Sequence, residues 1–265
     1  MEPMRSLVGV LCLLFLSRCA VSGNEEELLL GWRGETYDPH KHNVSSLPWV
    51  ETISWQPRAF VHHSFLTHQE CDHLKRLAQG RLERSGVVGD DEDSSGIDDI
   101  RTSYSAAIKR QEDGVVAGIE QRIAHWTHLP EENGEPLEVL RYLNGQKYGA
   151  HWDWFGRSDR DHKKLGSDRV ATVLIYLADV GPGSGGETSL PLAQALDSQL
   201  QSTRGMSHCA TRMGLAVLPR KGDALLFWNT LPDVGVPDRR ALHASCPTFR
   251  GEKWTATKWI HGLPY

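Results

Sequence analysis

Several things are scarce in this chain, and each scarcity excludes something. No apolar run reaches about 18 residues, the length a spanning helix needs, so an ordinary transmembrane helix or helix bundle is not expected. No sign of charge dominates: 29 Lys and Arg stand against 34 Asp and Glu, for a net charge of -5. That balance carries no bulk signature of nucleic-acid binding, and nucleic acid is not expected as a partner. No internal repeat is visible. Cysteine is sparse, with 5 in 265 residues. Apolar and charged fractions of 39% and 24% are ordinary for a globular protein. The length allows one large domain or two small ones.

The N-terminus carries an address. Leu7 to Leu16 form an apolar run of signal-peptide length, and small residues follow at Val21, Ser22 and Gly23. Residues 1–23 are read as a cleaved signal peptide, with an uncleaved anchor as the competing reading. Either places the body of the protein in the secretory pathway, in the endoplasmic reticulum lumen or Golgi. Asn43-Val44-Ser45 is a glycosylation sequon that fits this compartment, although unused sequons also arise by chance. Cys71, Cys209 and Cys246 remain after the signal. Three thiols in an oxidising lumen imply one disulfide and one leftover. Cys71 falls among core residues of an expected helix. Cys209 and Cys246 lie in loop-like sequence bracketing a strand region, so they are paired; three separate buried thiols is the alternative.

Residues 24–57 are polar, with Pro, Gly and scattered His, and read as an irregular leader; residues 58–265 read as the folded domain. Ala59 to Phe65 reads as a strand. Thr67-His68-Gln69-Glu70 is a capping box, followed by Cys71, Leu74, Leu77 and Ala78 at helical spacing. A second helix is expected over Gln111 to His128, with Val115, Ile119, Ile123 and Trp126 on its apolar face and Pro130 beyond it. Gly86 to Asp99 is an acidic Gly/Ser-rich loop, read as a lid over a nearby groove or as a passive linker. Short strands follow: Leu137 to Leu143, Gln146 to Trp154, Val170 to Ala178, Gly214 to Leu218, Asp223 to Trp228, Ala241 to Ala244 and Trp254 to His261. Asn144-Gly145 between the first two predicts a hairpin. The stretch Gly156 to Asp168 reads as a solvated loop. Helices first and many strands after them predict an α+β protein, a β-sandwich or jelly roll with helices packed on it.

Within that layout His151 and Asp153 are two apart on an expected strand, so both point to one side. A second pair of similar type, His68 and Glu70, opens a helix, where residues two apart diverge; these read as capping and surface residues. A third ligand is needed, and His243 in Ala241-Leu-His-Ala-Ser245 is the best candidate. Two His and one carboxylate that leave open positions form the facial triad of non-haem Fe(II) oxygenases. Lys253 follows ten residues after His243 at the start of an apolar strand. A lone buried ammonium is costly, so it needs a partner. A ligand carboxylate would serve, such as the C5 carboxylate of 2-oxoglutarate.

The stretches FLTHQECDHL, RYLNGQKYGAHWDWF, RVATVLIYLADV with GGETSLP, KGDALLFW, ALHASCP and GEKWTATKWIHG resemble prolyl 4-hydroxylases of the plant and green-algal type. The resemblance runs from about Phe60 to His261. It implies a double-stranded β-helix (jelly-roll) core with supporting N-terminal helices packed on one sheet. It implies Fe(II) held by His151, Asp153 and His243, and 2-oxoglutarate held by Lys253. Tyr142 and Thr188 match positions that add hydroxyl contacts to the cosubstrate, and Trp259 matches a residue lining the same pocket and the peptide groove. Arg101, Ser103, Glu135, Tyr148, Arg169 and His261 resemble peptide-contacting positions. The implied reaction converts peptidyl proline to 4-hydroxyproline with O2, while 2-oxoglutarate becomes succinate and CO2. L-ascorbate is implied as the iron reductant. The implied substrate is a secreted proline-rich protein, and no obligate partner subunit is expected.

Bland readings stand beside these. Trp152 alternates against the metal-facing pair and is expected to be a core aromatic. Tyr148, Trp154 and Trp259 are core aromatics or, for Tyr148 and Trp259, walls of a groove for a polyproline II chain. Arg101 and Arg169 are surface cations or substrate contacts, and His261 is inert or functional. Two other classes compete: another 2-oxoglutarate oxygenase, where arginine would more often replace Lys253, and a non-catalytic jelly-roll module holding a structural metal.

Overall fold

The computed structural model of the chain describes residues 48–86, 99–155, 167–196, 205–232 and 236–265. The acidic loop and the stretch after Gly156 therefore lie mostly outside the described residues, as do the signal and the sequon.

Two antiparallel sheets face each other. The larger has eight strands in the order β1-β2-β10-β7-β12-β5-β4-β3 and the smaller has four in the order β6-β11-β8-β9. In chain order these are β1 (Trp49–Trp55), β2 (Arg58–His63), β3 (Glu83–Arg84), β4 (Tyr104–Ile108), β5 (Leu137–Tyr142), β6 (Tyr148–His151), β7 (Arg169–Tyr176), β8 (Thr188–Leu190), β9 (Leu215–Val217), β10 (Ala224–Trp228), β11 (His243–Ser245) and β12 (Lys253–His261). Helices α1 (His68–Gln79) and α2 (Gly114–Thr127) cover one side of the larger sheet, and a short α3 (His208–Thr211) precedes β9. This is the expected jelly roll with helices on one sheet.

The central strands are apolar on both faces because both are covered. On β7, Val173 and Ile175 join the core beneath α1 and α2, while Tyr176 belongs to the cluster between the sheets. On β10, Leu226 and Trp228 face the helices, and Leu225 and Phe227 face the smaller sheet. Alternation between two dry environments produces a continuous apolar run rather than a polar stripe. Helix α1 begins with the expected capping box: Thr67 accepts from the Glu70 N–H, and Glu70 accepts from the Thr67 N–H. His68 and Glu70 are thereby accounted for at the helix start, and Glu70 also pairs with Arg122.

Four expectations change. The leader reading of 24–57 is too long: Trp49–Trp55 is a strand that pairs with β2, with Thr52 and Ser54 buried. Its most buried positions, Thr52 and Ser54, are small and polar, while Val50 and Ile53 pack only partly against the core on opposite sides, so no single apolar face marks it. Helix α2 starts at Gly114, because the Asp113 side chain caps it by accepting from Val115 and Val116; Val116, not Val115, is the fully buried valine. The Asn144-Gly145 turn does not make a hairpin. Only Gly145 has positive φ, whereas a type I′ hairpin turn needs it at both central residues. The chain instead crosses from the larger sheet to the smaller at this corner, so β5 and β6 do not pair. Finally, β6 ends at His151, and Ala241 lies in a 3-10 turn (Arg239–Ala241) rather than in a strand.

Candidate active site

The mouth between the sheets gathers the three expected ligands. His151 closes β6, Asp153 follows in a bend, and His243 opens β11. The antiparallel register sets His243 directly opposite His151. Asp153 Oδ1 lies 3.6 Å from His151 Nε2, and Asp153 Oδ2 lies 3.5 Å from His243 Nε2. The three ligand atoms fall within 4.8 Å of one another, and no other such group occurs among the described residues.

Backbone carbonyls set the tautomers. His151 Nδ1 donates to the Gly149 carbonyl at 2.8 Å, and His243 Nδ1 donates to the Ala241 carbonyl at 3.0 Å. A carbonyl only accepts, so both Nδ1 atoms are protonated and both Nε2 atoms face the centre. Burial, with His243 adding to it, pushes the His151 imidazole down to about 3, which keeps it neutral near pH 7. Burial disfavours ionised Asp153, yet His243, His151 and Arg169 outweigh it and hold the carboxyl at about 2. A neutral imidazole and an ionised carboxylate are the protonation states that ligate a metal. Tyr148 stacks on His151 at 3.6 Å between ring centroids, and Phe227 packs against His243 at 4.6 Å.

Lys253 lies deeper in the same pocket and is 1% exposed. Its Nζ donates to Ser245 Oγ at 2.9 Å and to Thr188 Oγ1 at 3.4 Å, and sits 5.4 Å above the Tyr142 ring. Among the described residues no carboxylate lies within ion-pair distance of it. Burial pulls its pKa down to about 7, with Glu187 opposing. A buried ammonium with only hydroxyl partners is the counterpart an anionic ligand would complete. A facial His/Asp/His set above such a cation fits Fe(II) with 2-oxoglutarate. Tyr142 and Thr188 line this pocket as expected, Tyr142 opposite Lys253 in the strand register. Burial pushes the Tyr142 hydroxyl up to about 12, so it stays a hydrogen-bond donor.

Arg101, Tyr148, Trp154, Phe155, Arg169 and Trp259 shape an outer cleft that opens beside the metal ligands. Neither arginine is an ordinary surface cation. Arg101 lies over the Tyr148 ring at 4.9 Å and pairs with Glu138 at 3.0 Å. Arg169 stacks on Trp259 at 4.1 Å and on Phe155 at 4.7 Å. Three expected peptide contacts stand behind this wall instead of on it. Glu135 accepts from Arg169 Nη2 at 3.0 Å and from His261 Nε2 at 2.9 Å, and these partners hold its carboxyl below the usual range against the effect of burial. His261 is fully buried and reaches the cleft only through Glu135 and Arg169. Ser103 is fully buried, and its hydroxyl donates to Ser85 Oγ at 2.9 Å. Trp152 is not a core aromatic: it is 41% exposed, with its indole N–H on the Arg239 carbonyl. It follows the end of β6 and lines the outer cleft beside Trp154.

Residues absent from the sequence reading complete the site. Ser245 receives Lys253, Thr172 donates to Asp153, and Thr255 and Thr257 line the pocket. Counting by twos from Lys253 along β12 would have found Thr255 and Thr257. Cys209 and Cys246 form the expected disulfide, and Cys71 is free and buried.

Comparison with known proteins gives the same class. Residues 137–261 match the 2OG-Fe(II) oxygenase superfamily. Probable prolyl 4-hydroxylase 4 and prolyl 4-hydroxylase 2 of Arabidopsis thaliana are each 48% identical over 214 residues, 80% of this chain and 70% of theirs. In fold, the chain is similar to the viral collagen prolyl hydroxylase of Paramecium Bursaria Chlorella virus-1 in its 2OG complex. The TM-score is 0.56 at 24% identity, covering 77% of this chain and 96% of that one. The chain belongs to the prolyl 4-hydroxylase family of 2OG-Fe(II) oxygenases.

Proposed function

We propose that this protein hydroxylates C4 of prolyl residues in secreted proline-rich proteins, with conversion of 2-oxoglutarate and O2 to succinate and CO2. One observation carries the reading: the three metal-facing atoms of His151, Asp153 and His243 share a pocket with the buried, carboxylate-free ammonium of Lys253. Iron with the cosubstrate supplies the oxidising chemistry, with ascorbate as its expected reductant. The chain supplies the rest. Lys253, Thr188 and Tyr142 hold and orient the cosubstrate's distal carboxylate. The aromatic walls Tyr148 and Trp259 receive a polyproline II chain, which docks on such surfaces at low entropic cost. Arg169, backed by Glu135 and His261, holds the Trp259 wall in place. Packing around the pocket excludes water.

The N-terminal apolar run, the sequon and the Cys209–Cys246 disulfide support a secretory-pathway location. The decisive experiment measures succinate release with and without a poly-proline peptide, and 4-hydroxyproline by mass spectrometry. Peptide-stimulated turnover with a hydroxylated product is the expected result. Turnover indifferent to peptide would indicate a different substrate, and metal binding without turnover would indicate a binding module.

A further inference from the structure

Asp153 makes one contact that metal binding does not require. Its Oδ2 accepts the Thr172 hydroxyl at 2.7 Å, and Asn229 Nδ2 donates to Thr172 Oγ1 at 2.9 Å. A threonine hydroxyl has one proton to give. With Asn229 donating into its lone pair, that proton is directed to Asp153. Thr172 and Asn229 are 1% and 0% exposed, so water does not compete for either group. Among the described residues no hydrogen bond is donated to Oδ1, which is the oxygen nearer His151 Nε2.

Asn229 has a second attachment. Its carbonyl accepts the Asp238 N–H at 2.8 Å, and the Asp238 carbonyl accepts the Ala241 N–H at 3.1 Å. The Ala241 carbonyl in turn fixes His243 Nδ1. A single residue just beyond β10 is therefore tied by its side chain to one ligand and by its backbone to another. Thr172 can serve as the link because the β7–β10 register places it opposite Phe227, on the strand face that looks into the pocket.

We propose that Thr172 and Asn229 are positioning residues of the metal centre: together they fix the rotation of the Asp153 carboxylate so that Oδ1 is the oxygen presented to the metal. This rests on the reading of the triad as an Fe(II) site. Outer contacts of this kind orient a ligand and tune its affinity, and their loss typically costs about 10- to 100-fold in metal binding. A buried polar pair that only satisfied its own hydrogen bonds would change stability and leave metal affinity alone.

The test is titration of the full-length protein with Co(II), without cosubstrate, read by calorimetry and by the visible absorption of the bound ion. Thermal melting of the metal-free protein runs alongside. Thr172→Val, nearly isosteric but without the hydroxyl, is expected to bind Co(II) about 10- to 100-fold more weakly and with an altered spectrum. Thr172→Ser is expected to restore wild-type affinity and spectrum. Asn229→Leu is expected to fall between, since the Thr172 proton remains but is no longer steered. Wild-type affinity and spectrum in Thr172→Val would overturn the proposal, as would equal losses in the valine and serine variants. Should the valine variant fail to fold, unchanged Co(II) binding by Asn229→Leu overturns the relay. A wild-type protein that binds no Co(II), or an Asp153→Ala protein that binds it equally well, defeats the metal-site reading itself.

Discussion

His151 and His243 are cross-strand partners: β6 and β11 run antiparallel with these two residues opposite each other and their ring centroids 4.2 Å apart. Residues far apart in the chain are thus brought together by backbone hydrogen bonding. Replacing His151, Asp153 or His243 by Ala is therefore expected to abolish turnover while leaving a folded protein, checked by activity and circular dichroism. Near-normal activity in Asp153→Ala would remove the assignment.

Lys253→Ala is expected to weaken 2-oxoglutarate binding by about 30- to 1000-fold, through loss of a charge-assisted bond of about 2–4 kcal/mol. Lys253→Arg is not expected to rescue it, because the planar guanidinium is larger than the space shared with Ser245 and Thr188. Calorimetric titration with 2-oxoglutarate measures both, and unchanged affinity in the alanine variant would rule the role out.

The same lysine predicts a pH dependence. Burial lowers its pKa to about 7, and the cosubstrate carboxylate binds the protonated form. Affinity is expected to be level below pH 7 and to fall by about tenfold per unit above it. The stability effect has the opposite sign. Between pH 7 and the unfolded value of 10.5 the unfolded chain holds the extra proton, so this group adds stability as pH rises through that window. Lys253→Met should flatten the contribution to both profiles, which binding titrations and urea melts across pH would show.

Arg169→Lys should raise the peptide KM by about 5- to 30-fold, the equivalent of about 1–2 kcal/mol from the lost bidentate bond and stacking. The cosubstrate KM should stay unchanged, since Arg169 faces the outer cleft. A parallel rise in both constants would mean that the change disturbs the whole pocket.

Reducing the Cys209–Cys246 disulfide, which closes a loop of sequence separation 37, is expected to cost about 4 kcal/mol. The lost stability should appear as a lower melting temperature under reducing conditions, absent in a Cys209→Ser/Cys246→Ser protein. Non-reducing peptide mapping that finds both thiols free would reject the bond itself.

Much of the site was legible because its chemistry is local. His151 and Asp153 are two apart, His243 and Lys253 ten apart, and metal and carboxylate chemistry restricts which residue types serve. The contacts of Thr172, Asn229 and Ser245 were not legible, because each depends on which strands become neighbours. The Asn144-Gly145 turn shows the limit clearly: its residues announce a reversal but not which sheet receives the chain afterwards. Trp152 shows another. The expected alternation stops at His151, where β6 ends, so Trp152 falls at the rim of the outer cleft rather than in the core. Ser103, Glu135 and His261 illustrate a third: their residue types suit a substrate groove, yet burial turns them into supports for Tyr142 and Arg169.

Strand β12 divides its duties by parity. Lys253, Thr255, Thr257 and Trp259 look into the pocket, whereas Trp254, Ala256 and Ile260 sit in the core under the helices and Lys258 pairs with Glu120. A slip of one residue would exchange the two sets, sending a tryptophan to the cosubstrate and an ammonium into the helix layer, so the register is locked by both faces at once. Within that lock the two faces are free to drift separately. The odd-numbered positions serve the pocket, and the even-numbered positions serve the core under the helices. Of the odd-numbered set only Trp259 reaches the outer cleft, so a change of peptide preference along this strand falls on its far end and leaves the scaffold beneath untouched.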